Sequence, residues 1–271
     1  MIRTALIQLR SGTVIQDNLD VASVLIRQAA SDGATFIATP EMTHILQRSP
    51  KRLFESILDE ANDLGVLHFS DLAKELSIDL LIGSLAIKTT KNRAANRSFL
   101  FGSGGEIKAR YDKIHLFDVT VSKAETWKES NVYDRGEQAV TTQVAGAKLG
   151  LSICYDLRFA SLYKHYAKCG AQILTVPAAF TRPTGEAHWE SLLRARAIET
   201  SSFVVAPAQG GQHEDGRATW GRSMIVGPWG DIRAKLDHDN PGYICTDLDM
   251  DDVVSARSKI PAWDYQPECK S

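Results

Sequence analysis

The stretch KLGLSICYDLRFASLYKHYAK, residues 148–168, changes from a strand pattern to a helix pattern within a few residues. Residues 148–154 are mostly apolar, which favours a buried β-strand, and residues 158–168 carry apolar side chains at helical spacing. A strand that leads directly into a helix is a building unit of α/β proteins. This stretch therefore predicts an α/β fold, with Cys154 at the junction between strand and helix.

The same alternation continues on both sides of this stretch. Strand patterns cover residues 4–9, 34–40, 78–87, 96–102, 171–180 and 202–208, and helix patterns cover residues 18–30, 61–77 and 187–200. Residues 221–249 resemble a run of hairpin strands. No Pro-, Gly- or Ser-rich linker interrupts the series, so we predict one domain over residues 1–271.

Three segments lack a clear pattern, namely residues 40–55, 112–138 and 180–187. Long loops in a compact domain are more often functional than idle. We therefore expect these segments to contribute to a functional site.

The composition is that of an ordinary globular protein whose ligand is small. The 31 basic and 33 acidic side chains nearly cancel and form no basic block, which argues against a nucleic-acid partner. No window approaches the ~18 apolar residues of a membrane helix, so we predict no membrane partner. The first residues form a strand pattern without the features of a signal peptide, which predicts a cytoplasmic protein.

The cysteines and histidines show no metal-binding spacing. The cysteines, with no Cys-x-x-Cys pair among them, are Cys154, Cys169, Cys245 and Cys269. They are expected to be free thiols. The seven histidines form no His-Glu-x-x-His run. We predict neither a metal nor another cofactor.

Cys154 has two interpretations. It is either a buried packing residue or a nucleophile placed near the amino terminus of the following helix, where unpaired N–H groups favour a thiolate. Asp156 and Arg158 follow it at once and are poor neighbours for a simple core thiol. A thiol nucleophile also requires a base. The next two histidines in the sequence are weak candidates for this base. His165 on the helix is expected to face solvent or the core, and His188 fits a positioning role better.

A carboxylate is the alternative base. Glu41 ends the apolar run FIATPEM at the carboxyl end of a strand, where α/β proteins collect their ligands, although a capping or surface role is equally open. Lys113, in RYDKIHLFD, either extends its ammonium to water or is held by acidic partners and donates to an oxyanion.

Together these segments resemble the carbon–nitrogen hydrolase, or nitrilase, superfamily. The resemblance rests on TPEM (39–42), YDKIHLFD (111–118), ESN (129–131) and SICYDLRF (152–159), and extends through residues 177–200 and 223–231. It implies a four-layer αββα sandwich and a catalytic Glu-Lys-Cys triad of Glu41, Lys113 and Cys154, with Glu129 as a fourth member. It also implies a homodimer or higher homo-oligomer that uses segments after Cys154 and around residues 188–199.

Within the superfamily the chain looks most like the Nit-type amidases, because GEAHWE, LLRARAIE and AQGGQHE have counterparts there. The branch acting on deaminated glutathione is preferred, and ω-amidases of 2-oxo acid amides or N-carbamoyl amino acid hydrolases are alternatives. A catalytically silent scaffold and a thiol redox protein using Cys154 with Cys169 are the alternatives from other functional classes.

An amide that carries a carboxylate requires a cation in the pocket. Arg182, in the loop after Phe180, is a candidate for this cation, although it could equally be a surface arginine without a binding role. Further candidates for substrate binding are Tyr155, Arg158, Phe180 and His188.

Overall fold

Two large β-sheets form the centre of the computed structural model, which describes residues 1–122 and 125–264. The strands are β1 (Ile2–Gln8), β2 (Phe36–Ala38), β3 (Asp79–Thr90), β4 (Arg93–Phe101), β5 (Ile107–Asp112), β6 (Asp118–Ser122), β7 (Glu125–Lys128), β8 (Tyr133–Asp134), β9 (Thr141–Val144), β10 (Ala147–Leu151), β11 (Ile173–Thr175), β12 (Phe203–Ala206), β13 (Gly210–Gln212), β14 (Ala218–Trp220), β15 (Met224–Val226), β16 (Ile232–Lys235) and β17 (Gly242–Leu248). The helices are α1 (Ile15–Ser31), α2 (Pro50–Ser56), α3 (Leu64–Leu76), α4 (Ala160–Lys168), α5 (Arg182–Thr200) and α6 (Met250–Lys259). Short 3-10 helices cover Glu129–Asn131, Cys154–Arg158 and Pro261–Trp263.

Both sheets are mixed, with parallel strands at the centre. The first has the order β17-β1-β2-β3-β4-β5, with β8 paired to β4, and the second has the order β16-β15-β12-β11-β10-β9. Strands β1, β2 and β3 run parallel, as do β10, β11 and β12, whereas the flanking strands are antiparallel. Since the carboxyl ends of parallel strands lie at one edge, each sheet offers such an edge to the loops that follow.

The layers follow from the alternation of side chains along each strand. In β1, Ile7 packs in a cluster with Phe69 of α3, on the helix side of the first sheet. The neighbouring Leu6 points to the opposite face and shares a core with Leu149 of β10. That core continues to Leu193 of α5 on the far side of the second sheet. The order helix, sheet, sheet, helix confirms the predicted αββα sandwich.

Helix α5 begins earlier than its sequence pattern indicated. The pattern predicted a loop at residues 180–187 and a helix only from residue 187, whereas the helix starts at Arg182 with a proline in its first turn. Proline fits this position because the first helical N–H groups have no partner within the helix. The polar composition of the first turns hid the helical periodicity. This segment is therefore the start of a helix and not a loop.

Helices α2 and α6 were also missed, because each is short and has few apolar positions. Helix α6 buries only Val253 and Ala256, and its start is fixed by Asp249, whose side chain accepts a hydrogen bond from the Asp251 N–H. None of the helices within the described ranges is long and apolar enough to cross a membrane.

Candidate active site

A cavity of about 430 Å³ opens where loops from the two sheets meet. Its lining includes the four side chains singled out as catalytic candidates, Glu41, Lys113, Glu129 and Cys154. Glu41 follows β2 and Lys113 follows β5 in the first sheet, and Cys154 follows β10 in the second. Glu129 starts the 3-10 helix after β7. The structure therefore brings together four residues spread over more than a hundred positions.

Lys113 lies between the two carboxylates and is almost completely buried. Its Nζ lies 2.9 Å from Glu41 Oε1 and 2.9 Å from Glu129 Oε2. Only 2% of the lysine side chain is exposed, against 6% for Glu41 and 12% for Glu129. A buried charge without a partner is costly, so the ammonium and the carboxylates hold one another in position.

Further donors fix both carboxylates. Asn96, from the middle of β4, donates from Nδ2 to Glu41 Oε1 at 2.9 Å and to Glu129 Oε1 at 3.0 Å. Backbone N–H groups complete the set, from Ala179 to Glu41 Oε2 at 2.9 Å and from Phe117 to Glu129 Oε2 at 2.6 Å. Neither carboxylate can move without losing several hydrogen bonds.

Cys154 occupies a strained turn. Its φ is +50°, a left-handed conformation that side chains with a Cβ seldom adopt. Its N–H donates to the Pro177 carbonyl at 2.9 Å, and its side chain lines the cavity together with Glu41. The turn continues as the 3-10 helix Cys154–Arg158, and α4 begins only at Ala160. The predicted position at the amino terminus of an α-helix was therefore wrong.

The protonation states at rest follow from burial and the three neighbouring charges. Burial raises the pKa of the Cys154 thiol well above its ordinary value, and the charge of Glu41 raises it further against the opposing effect of Lys113. The thiolate expected from nearby backbone N–H groups is thus not favoured at rest, because burial and the charge of Glu41 both raise the pKa of the thiol. At rest Cys154 is a neutral thiol.

Glu41 and Lys113 are ionised at rest. Burial acts to raise the pKa of Glu41, but the charge of Lys113 and hydrogen bonds from Lys113, Cys154 and Asn96 bring it below its ordinary value. Burial acts to lower the pKa of Lys113, but the charges of Glu129 and Glu41 raise it well above its ordinary value. In the free protein Glu41 is a carboxylate and can act as a base.

Asp156 ties the Cys154 turn to the Lys113 segment. Its Oδ2 accepts hydrogen bonds from the Ile153 N–H at 2.8 Å and from the Tyr111 hydroxyl at 2.7 Å. Its Oδ1 accepts one from the His115 N–H at 3.0 Å and lies 2.7 Å from His115 Nδ1. Since Tyr111 and His115 flank Lys113, this buried carboxylate sets the position of the lysine relative to the cysteine.

Gly83 lets strand β3 pack closely against the backbone just before Glu41 and against Pro177. A Cβ at this position would lie 2.1 Å from the Thr39 carbonyl oxygen and 2.4 Å from Pro177 Cβ. Both distances are shorter than van der Waals contact, so only glycine allows this packing. The contact matters because Pro177 accepts the hydrogen bond from the Cys154 N–H.

The five predicted substrate-binding residues have different positions. Tyr155 and Phe180 line the cavity. Arg158 lies behind them, its guanidinium 5.9 Å from the Tyr155 ring centroid and 5.5 Å from that of Phe180. His188 is exposed and its Nδ1 lies 3.3 Å from Arg158 Nη2. Arg182 is outside the cavity lining, because its guanidinium pairs with Asp239 at 2.6 Å.

Sequence reasoning missed several residues of the site. Asn96 is a polar residue in a buried strand, a signal that could have marked it as functional. Arg48, Trp127 and Arg217 also line the cavity, but they come from three distant segments and share no local pattern.

Among the described residues, the cysteines and the possible metal ligands form no second centre. Cys154, Cys169 and Cys245 are free thiols, and Cys269 lies outside the described residues. His165 is exposed on α4, with its Nε2 3.5 Å from Cys169 Sγ. Residues 1–122 and 125–264 contain no group of three or more His, Cys, Asp or Glu residues arranged to hold a metal ion.

Comparison with known proteins identifies the relatives of this chain. It is 40% identical to a deaminated glutathione amidase from Yersinia enterocolitica, over 84% of this chain and 80% of the relative. It is 34% identical to omega-amidase NIT2 from Homo sapiens, over 96% and 93% of the two chains. The crystal structure of the C. elegans NitFhit protein superposes with a TM-score of 0.91 at 31% identity, covering 98% of this chain and 65% of that one.

The model of the carbon–nitrogen hydrolase family matches residues 3–258. This match spans both sheets and every segment that carries Glu41, Lys113, Glu129 or Cys154. The chain belongs to the carbon–nitrogen hydrolase family.

Proposed function

We propose that this protein hydrolyses the C–N bond of a small linear amide carrying a carboxylate, through a thioester on Cys154. The observation that carries the proposal is the shared position of Lys113 between Glu41 and Glu129, in a cavity that the Cys154 thiol also lines. This set supplies a nucleophile, a base and a fixed cation at one end of a cavity. Family membership supports the same reaction class.

In the first half of the reaction Glu41 removes the thiol proton as the sulfur attacks the amide carbon. The order matters because the resting thiol is neutral and Glu41 is ionised. The tetrahedral oxyanion is stabilised by Lys113 and by the Tyr155 backbone N–H, since the Cys154 N–H already donates to Pro177. Glu41 then returns the proton to the departing nitrogen, and the C–N bond breaks to leave the thioester.

In the second half Glu41 takes a proton from a water that attacks the thioester carbon. The C–S bond breaks, the acid leaves, and the sulfur regains its proton. Glu129 keeps Lys113 in place during both halves, because its two oxygens lie 3.2 and 2.9 Å from Nζ.

The relatives support the amide class of substrate. The Yersinia relative is a deaminated glutathione amidase and the human one an omega-amidase. A deaminated-glutathione-like amide is our first candidate. Amides of 2-oxo acids and N-carbamoyl amino acids are the alternatives.

The test is an ammonia-release assay with mass spectrometry of the intact protein and of its proteolytic peptides. We expect wild-type protein to release ammonia from a carboxylate-bearing amide, and Cys154→Ala to release none while keeping its fold. Rapid quenching should show a mass increase equal to the acyl group on the peptide containing Cys154. Cys169→Ala is the matched control and should behave as wild type. Steady-state turnover by Cys154→Ala would refute the mechanism.

Two other functional classes make different predictions in this experiment. A catalytically silent scaffold would release no ammonia and gain no acyl mass. A redox protein would show an internal disulfide between Cys154 and Cys169 after oxidation. The burial of Cys154 and its contact with Glu41 favour the hydrolase.

We also propose that the protein forms a homo-oligomer in the cytoplasm. Three of the large apolar side chains that are exposed are Ile198 on α5 (55%), Trp229 in the turn between β15 and β16 (57%), and Val254 on α6 (62%). Ile198 lies beside Gly230, next to Trp229, and a contiguous apolar patch is typical of surfaces that pair with another chain. Light scattering after gel filtration measures the oligomer, and a monomer at micromolar concentration would contradict it.

A further inference from the structure

Two arginines lie against one tryptophan on the wall of the cavity. The Arg48 guanidinium carbon is 4.8 Å from the Trp127 ring centroid, and that of Arg217 is 5.6 Å from it. All three residues line the same cavity as Cys154 and Lys113. Cations at this distance from an indole ring are attracted to its face. Trp127 therefore holds two guanidinium groups close to one cavity wall.

The two arginines differ in how much of their charge is already neutralised. Arg48 is exposed and forms no ion pair with any described residue. Arg217 is held by Asp215, whose Oδ2 lies 2.6 Å from both Nε and Nη2 of the guanidinium. Its Nη1 makes no hydrogen bond to any part of the chain that the structure describes. Arg48 therefore supplies a cation without an ion-pair partner among the described residues. Arg217 supplies N–H donors whose orientation is fixed by Asp215.

This wall is the opposite of the cavity floor in charge. The cavity floor is formed by Glu41, Lys113, Glu129 and Cys154. One ammonium faces two carboxylates there, so an anionic group is repelled. The other cation on the wall, Lys128, lies close to Asp118. A molecule with an amide at one end and a carboxylate at the other is oriented by this difference. Its amide enters toward Cys154, and its carboxylate stays beside the arginines.

We propose that Arg48, Trp127 and Arg217 form the subsite that binds the carboxylate of the substrate. The subsite deepens the proposed function and rests on it. A guanidinium presents its N–H groups in a plane that matches the two oxygens of a carboxylate. The subsite replaces Arg182 as the cation the substrate requires, because Arg182 is bound to Asp239 outside the cavity.

The experiment compares two linear amides of the same length, glutaramate, which is anionic, and pentanamide, which is neutral. We expect Arg48→Gln to lower the ratio of kcat/KM for glutaramate to that for pentanamide by about 10- to 100-fold, the range for a lost charge-assisted hydrogen bond. The loss should appear mainly in KM for glutaramate. Raising the salt concentration should reduce the ratio in wild-type protein more than in the variant.

A binding measurement separates this subsite from the chemistry. Calorimetry with Cys154→Ala protein measures glutaramate affinity without turnover, and adding Arg48→Gln should weaken it by a similar factor. Arg27→Gln is the matched control, since Arg27 pairs with Glu75 on the outer helices and should change neither ratio nor affinity.

Each proposal has its own contrary outcome. Glutaramate that binds through Arg48 without ammonia release by wild-type protein would refute the proposed function and support the subsite. Ammonia release with an unchanged ratio in Arg48→Gln would refute the subsite alone. The subsite is also refuted if Arg182→Gln or Lys128→Gln lowers the ratio while Arg48→Gln does not.

Discussion

The floor and the wall of the cavity are built on different principles. On the floor, each charged group is at most 12% exposed and has two or more partners, and Lys113 and Asn96 each connect both carboxylates. On the wall, Arg48 is exposed and its described contact is the face of Trp127. The floor is therefore a fixed network that supports the fold as well as the chemistry. The wall can change without unfolding the protein, which suits a region that selects the substrate.

The largest expected effect comes from Lys113→Met, which removes the cation from the centre of the floor. Two buried carboxylates would then face each other without compensation. Removing one partner from a buried ion pair costs about 3–5 kcal/mol of unfolding free energy. We expect a loss of this size in urea unfolding, together with loss of ammonia release.

Lys108→Met is the matched control, because Lys108 pairs with Asp79 at 3.0 Å on the surface. A surface pair contributes about 0–1 kcal/mol. Equal losses in the two variants would contradict the difference between floor and surface.

The pH dependence of stability tests the same network. Glu41 has a folded pKa below its ordinary 4.5, so its contribution is present above that pH and lost as pH falls through the folded pKa. Lys113 has a folded pKa above its ordinary 10.5, so its contribution is present below that pH and lost as pH rises through the folded pKa. Lys113→Met should remove the alkaline limb, and it should reverse the acid limb, because burial without the ammonium raises the pKa of Glu41 and the variant then gains stability as pH falls. The measurement is unfolding free energy against pH.

A smaller effect is expected from Asp156→Asn. The amide has the same size but replaces an acceptor with a donor, so some donors that now meet Asp156 would face an NH₂ group. A buried group left without its partner costs about 1–3 kcal/mol. Because the change moves Lys113 relative to Cys154, kcat should fall more than KM rises.

Asp63→Asn is the control for Asp156→Asn, because it should lower stability without changing the position of Lys113 relative to Cys154. Asp63 is a buried carboxylate that caps α3, accepting hydrogen bonds from the Gly65 and Val66 N–H groups. We expect a similar loss of stability with kcat retained. If both variants lose kcat in proportion to stability, Asp156 has no positioning role.

A third prediction concerns the resting thiol. Glu41→Gln should end turnover and yet make Cys154 more reactive toward iodoacetamide at pH 8. Burial raises the pKa of Cys154, and the charge of Glu41 raises it further, so removing that charge lowers the pKa. Each unit of decrease gives roughly tenfold more thiolate. Peptide mass spectrometry can follow alkylation of Cys154 separately from the other cysteines.

Glu129→Gln is the comparison for this variant, because the charge of Glu41, and not that of Glu129, raises the pKa of the thiol. Its alkylation rate should change less. Slower alkylation of Glu41→Gln than of wild-type protein would show that Glu41 promotes the thiolate at rest.

Much of the fold and of the floor could be predicted because local sequence carries the information. The strand before Cys154 and the helix after it have clear periodicity, and the order of the Glu41, Lys113 and Cys154 segments identified a family that the comparisons confirm. The catalytic roles of these residues remain predictions. Their pKa directions could not be predicted, because they depend on which charges meet in space.

The wall could not be predicted for a related reason. Arg48 and Arg217 are far apart in the sequence, and neither lies within a predicted strand or helix. Arg182 was favoured because it follows Phe180, but a long side chain is directed by partners that sequence does not show. Its partner is Asp239, 57 positions away.

The smallest effect is expected for the stability of Arg48→Gln. The side chain is exposed, and neither a hydrogen bond nor an ion pair links it to a described residue. Surface changes of this kind fall within about 0.5 kcal/mol of wild type. Urea unfolding should therefore give the same midpoint and slope as the wild-type protein. A loss comparable to that of Lys113→Met would mean that Arg48 belongs to the structural network. The wall would then be as important for the fold as the floor, and the distinction between the two regions would be wrong.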